Sequence, residues 1–167
     1  MGIFSRLFGK PEKEAPVQVK VKADRPEVHV ELKAVHEVTS TEGMDYQEQV
    51  DYFKGILVTE FPEYTIRENV EVTELVGDAN DKFKLYQSRP YREYKAEWGQ
   101  PYNFVMYKDG EVKGVLMIGG ERSHHAKVKY LISRMYAKKI EVPYLGFYTH
   151  MPNKISFVVN HIQKSLK

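Results

Sequence analysis

At 167 residues the chain has room for one core of ordinary size plus an extension and is cramped for two. Its 42% hydrophobic and 13% aromatic content, twelve tyrosines included, supplies a core and excludes wholesale disorder, while a net charge of +2 is too small to imply a polyanionic partner by itself. The absence of cysteine excludes disulfides, thiolate metal sites and a cysteine nucleophile together.

The opening MGIFSRLFGK sets Ile3, Phe4, Leu7 and Phe8 at helical spacing beside Arg6 and Lys10, which reads as one short amphipathic turn or a frayed terminus. A membrane-surface anchor is the sharper alternative, but the segment is short and weakly basic, and Arg6 stands where a myristoylation pattern needs Ser or Thr. It also lacks the apolar stretch and cleavage site of a signal peptide, and no apolar run approaches the roughly 20 residues that span a bilayer. No transmembrane segment and a cytoplasmic location are expected. PEKEAP (11–16) is a linker rich in Pro and charge. Val17, Val19 and Val21 then alternate with polar residues, as do Val28, Val30 and Leu32, so short strands are possible within an arm over 1–40.

The domain proper is expected over 41–167. Asp45 and Glu48 have capping-box spacing, and Tyr46, Val50, Phe53 and Leu57 recur on one face until Pro62, predicting a helix over 45–60. YTIRENVEVTEL (64–75) is enriched in β-branched residues and predicts a strand or two with an irregularity near Asn69, followed by a turn over 77–82. The segment from 83 to 102 is dense in Tyr and basic residues and holds the sole Trp. It reads as a long loop that either covers the sheet or offers a stacking surface.

The clearest local signal follows. Two apolar runs, 102–108 and 112–118, flank Asp109 and Gly110, a preferred pair for a tight hairpin turn, and their near-continuous apolar character places the hairpin mid-sheet. A helix over 123–139 is predicted to bury Val128, Leu131, Ile132, Met135 and Tyr136. VPYLGFY (142–148) reads as a buried strand parallel to a hairpin strand, and Pro152 as the start of a last helix through Phe157, Val158, His161 and Ile162.

Over 122–139 the chain carries six basic residues and no acidic one, and Lys127, Arg134 and Lys138 fall on one helical stripe. Such a stripe can track phosphates or form a plain solvated face. His124, His125, His150 and His161 show no zinc-ligand spacing, so no metal is expected there. Glu111-Val112-Lys113 sits at the hairpin tip beside Asp109 and reads as a solvated turn.

The order helix, strand, hairpin, helix, strand over about 45–165 resembles the αβββαβ core of the PD-(D/E)xK nuclease superfamily, the restriction-endonuclease-like domains. The resemblance is carried by YNFVMYKDGEVKGVLMIGGE and KKIEVPYLGFY. It implies a mixed sheet flanked by helices and, in active relatives, an Asp on the first hairpin strand and a Glu-x-Lys triplet ending the second. Two such carboxylates hold a hard divalent cation through oxygen, and the Lys serves the attacking water. Carried over by position, the Asp site falls on Asn103 and the triplet on Gly119, Gly120 and Glu121, so only Glu121 keeps a carboxylate.

Gly119-Gly120 also permits a sharp turn and exposed amides at a helix start. The expected function is that of a catalytically degenerate nuclease-fold module binding nucleic acid or protein, with no cofactor and no catalytic residue. Lys127, Arg134 and Lys138 are its nucleic-acid-binding candidates. The alternatives are a divergent Mg-dependent nuclease using Glu121, or Glu48 on the first helix, and a membrane-peripheral adaptor using Phe4, Leu7 and Phe8.

Overall fold

The computed structural model of the chain describes residues 39–120 and 123–167. The amphipathic turn, the strands read at 17–21 and 28–32, and Glu121 lie outside the described residues.

Asp45 and Glu48 start the first helix in the way their spacing predicts. Asp45 Oδ1 accepts from the Glu48 amide at 2.9 Å and Glu48 Oε2 accepts from the Asp45 amide at 2.7 Å, capping α1 (Tyr46–Glu60) at both exposed donors. The next strand, β1 (Thr65–Val70), contains Asn69 at φ 49°, a left-handed conformation that Asn tolerates better than most side chains. Ile66 and its partner Met106 belong to one core, whereas Val70 and its partner Tyr102 belong to the other, although all four numbers are even. The alternation therefore switches at Asn69, where the sequence places an irregularity.

Residues 72–75, expected as strand, are instead helical: α2 spans Val72–Val76. β-branched Val72 misleads here, because Glu74 Oε1 accepts from the Glu71 amide at 3.1 Å and Gly77, at φ +70°, ends the turn. The expected turn over 77–82 gives way at Asn80 to β2 (Asn80–Phe83), which pairs antiparallel with β3 (Arg92–Lys95). A 3-10 turn at Ala96–Trp98 follows, so the 83–102 segment is a small structured cover rather than a plain loop.

The hairpin forms β4 (Tyr102–Lys108) and β5 (Glu111–Gly119), joined through Asp109 at φ 54° and Gly110 at φ 79°, the double left-handed turn that matches strand twist. Ser123 Oγ accepts from the Ala126 amide and caps α3 (His124–Lys139). β6 (Tyr144–Tyr148) returns parallel to β5, and α4 (Ile155–Ser165) closes the described chain. This last helix starts three residues later than Pro152 suggests, because Asn153 is buried and its Nδ2 donates to the Tyr148 carbonyl at 3.0 Å.

The result is a mixed α/β domain. Its main sheet has four strands in the order β1-β4-β5-β6, so the hairpin is central and β6 is an edge, with helices on both faces. One face packs Phe104, Met106, Leu116, Ile118, Leu145 and Phe147 against α1 and α4. The other packs Val105, Val115 and Met117 against Ile132, Tyr136 and Ala137 of α3. Among the described residues no helix is long and apolar enough to cross a membrane.

Candidate functional site

Asn103 begins β4 and spends both ends of its amide inside the fold. Its Oδ1 accepts from the Ile118 amide at 2.7 Å and its Nδ2 donates to the Tyr46 hydroxyl of α1 at 2.7 Å. The side chain thus continues the ladder past its last backbone pair, Phe104 with Leu116, and ties the hairpin to α1. Gly119 ends β5, and a Cβ added there would lie 2.8 Å from the Tyr130 ring of α3. At Gly120 a Cβ would lie 2.5 Å from Thr149 Oγ1. Neither position accepts a carboxylate side chain without displacing a neighbour. With the amide of Asn103 engaged as well, the described residues at these positions do not fit a hard divalent cation.

Thr149 locks this corner. Its amide donates to the Gly119 carbonyl at 2.9 Å, and its own carbonyl accepts from Gln49 Nε2 at 3.0 Å, so α1, β5 and the end of β6 meet there.

On the α3 side of the same corner lies an open cavity of about 530 Å³. Its floor follows from the parallel register, which sets Met117 beside Gly146 and Gly119 beside Tyr148. The Tyr130 ring covers Gly119, whereas Gly146 presents bare backbone to the space, an added Cβ there meeting only the Tyr144 ring at 3.4 Å. Tyr144 and Tyr148 stand on either side of Gly146 along the edge strand, while Tyr130 and Leu131 form the helix wall. Tyr86 completes the rim and stacks on His124, with ring centroids 6.3 Å apart and planes 15° apart. Burial is the main influence that pushes the Tyr144 phenol well above its ordinary range, helped by Tyr102 and Tyr130 and opposed by Arg134, so this ring is neutral at physiological pH.

The sequence-predicted cations divide between this cavity and its neighbour. Lys127 and Arg134 line the first; Arg134 and Lys138 line a second hollow of about 620 Å³ that shares Leu131 and Tyr144 with it. All three are exposed, and none is ion-paired to a described residue. No acidic side chain lines the first cavity among the described residues, whereas Glu141 lines the second. Val128, Leu131 and Met135, expected in the core, are half-buried, because α3 turns Leu131 and Met135 toward these hollows.

The structure therefore brings Gly119, Lys127 and Arg134 around one cavity. Asn103 belongs to the contact with α1 instead. His124 and His150 lie at the rim, and among the described residues no group of three or more His, Asp or Glu side chains stands where it could hold a metal ion. Sequence reasoning missed Tyr130, Tyr144, Gly146 and Tyr148. The signal available for three of them was the run YLGFY, whose period-two face is Tyr, Gly, Tyr rather than a run of aliphatic residues. Comparison with protein families, with curated proteins and with solved structures finds no match for the chain.

Proposed function

We propose that the domain is a restriction-endonuclease-like scaffold that has lost its hydrolytic site and binds nucleic acid through the α3 face. The observation that carries the reading is the row of Lys127, Arg134 and Lys138, exposed and free of ion pairs with described residues, along an aromatic-lined cavity. Unpaired cations beside stacking surfaces are what a charged polymer of planar bases needs.

The scaffold reading draws support from the order of α1, β1, the central β4–β5 hairpin, α3 and the parallel β6. The insertion of α2, β2 and β3 between β1 and the hairpin departs from the minimal core. Loss of hydrolysis is supported by the engaged amide of Asn103 and by the packing that fills the space at Gly119 and Gly120.

The test is fluorescence anisotropy with a labelled 20-nucleotide single strand across a salt series. Neutralising Lys127, Arg134 and Lys138 together to Gln is expected to weaken binding at low salt and to flatten the plot of log affinity against log salt by about 2, given roughly 0.7 counterions released per single-strand phosphate contact. Binding that ignores both salt and the triple substitution rejects the reading. In parallel, Mg²⁺ or Mn²⁺ is expected to produce no cleavage of the strand. Metal-dependent cleavage abolished by Glu121→Gln restores the enzyme alternative.

A further inference from the structure

We infer that the cavity between α3 and the β5–β6 seam is a subsite for one unpaired nucleotide, with the base lodged over Gly146 between the Tyr144 and Tyr148 side and Tyr130, and its phosphate held by Lys127 and Arg134. The inference deepens the nucleic-acid reading of the α3 face and rests on it for the longer strand, but the subsite itself is argued from four features of the cavity.

Size comes first. A volume of about 530 Å³ lies within the roughly 300–1,000 Å³ typical of small-ligand sites and is far too small for a segment of duplex. Shape is the second: bare backbone at Gly146 leaves the floor open, and Tyr130, Tyr144 and Tyr148 line the space around it, so the site favours a planar occupant that can lie against aromatic side chains.

Polarity is the third feature. The walls hold tyrosine rings while Lys127, Arg134 and His150 line the same space without an acidic side chain among the described residues, which selects an occupant with an apolar plane at one end and negative charge at the other. The fourth is access. Tyr148 is 59% exposed and Gly146 is exposed, so the cavity opens along the edge strand β6, and a strand can enter from the side without moving the sheet.

A paired base cannot reach such a site, because its faces are covered in the stack and its phosphates lie outside the helix. The domain should therefore distinguish single strands from duplex by shape. A free nucleoside monophosphate carries the same chemistry as one residue of a strand, and the experiment separates the two.

The deciding variant is Gly146→Val. A Cβ at this position meets nothing closer than the Tyr144 ring at 3.4 Å, and a β-branched residue suits a strand, so the fold is retained while the side chain fills the floor. Wild type and variant are titrated with AMP by calorimetry, and with a labelled 20-nucleotide single strand and its duplex by anisotropy. Wild type is expected to prefer the single strand over the duplex by at least tenfold. Gly146→Val is expected to lower single-strand affinity tenfold or more and to leave the weak duplex binding unchanged.

Equal single-strand binding by wild type and Gly146→Val overturns the subsite while leaving the nucleic-acid reading intact. Binding of AMP, lost in Gly146→Val, with no binding of either polymer supports the subsite and rejects the polymer. Absence of binding to AMP and to the single strand overturns both. Should Gly146→Val melt well below wild type, Tyr148→Ala replaces it, since that ring is largely exposed and its loss removes a cavity wall without touching the core; unchanged single-strand binding by Tyr148→Ala then overturns the subsite.

Discussion

The two faces of the central sheet share strands and differ in everything that covers them. On the α1–α4 face, Phe53, Phe104, Leu116, Ile118 and Ile162 are each 0% exposed and close-packed. On the α3 face Val105, Val115 and Met117 are likewise closed over by Ile132, Tyr136 and Ala137, but at the β5–β6 corner Gly119, Tyr144, Gly146 and Tyr148 border an open cavity. The contrast separates two tasks. A face of interlocking aliphatic and Phe side chains supplies stability, and the tyrosine-lined corner around Gly146 forgoes part of that burial to keep a solvent-reachable space.

Mutations should fall on opposite sides of this division. Phe53→Ala, in the closed face, is expected to lower unfolding free energy by about 3–5 kcal/mol in urea titration. Tyr148→Ala, at the open corner, should change it by no more than about 0.5 kcal/mol. Similar losses for the two would abolish the distinction.

Asn103 ties the hairpin to α1. Asn103→Leu is expected to cost about 1–3 kcal/mol in the same assay, because the amide of Ile118 loses its acceptor. Asn103→Asp keeps that acceptor, and the Tyr46 hydroxyl can rotate to donate to the second oxygen, so a loss close to that of Asn103→Leu would show that geometry rather than hydrogen bonding dominates there.

A smaller effect concerns the buried phenols of the α3 side. Tyr136 donates to the carbonyls of Tyr94 at 2.7 Å and Ala79 at 3.0 Å, pinning the β2–β3 cover, and burial first, then the nearby Asp81 carboxylate, pushes its phenol from 10.0 up to about 12. A raised phenol holds its proton longer in the folded chain than in the unfolded one. Its contribution is therefore complete below pH 10 and is lost as pH rises from 10 to about 12. Urea midpoints measured across that window are expected to fall less steeply in Tyr136→Phe than in wild type. Least affected should be the hairpin tip. Lys113→Gln breaks an exposed pair with Glu111 and is expected to leave the urea midpoint unchanged.

What the sequence discloses follows the range of the interactions involved. Asp45 with Glu48, and Asp109 with Gly110, act within four residues, and both elements stand where their residues indicate. Short range alone was insufficient at 72–76, where alternating Val70 and Val72 outweighed the Glu71–Glu74 cap that makes the segment helical. The β2–β3 pair is fixed by Tyr136, more than forty residues downstream of Tyr94, and no local pattern announces that bond. At the site, the cationic stripe of Lys127, Arg134 and Lys138 was legible because it needs only helical periodicity. The cavity beside it was not, since it arises from the register that sets Met117 by Gly146 and from the Tyr130 ring over Gly119.

The parallel seam also bears on the order in which the domain assembles. The β4–β5 hairpin closes a two-residue loop and can form early, whereas β6 can join β5 only after the whole of α3 has been laid across the sheet. The cavity walls belong to that late-arriving unit, with β6 at the sheet edge. Amides of β6 should exchange with solvent through smaller openings than those of the hairpin, so the strand that borders the cavity is also the one whose protection a molecule bound there would raise most.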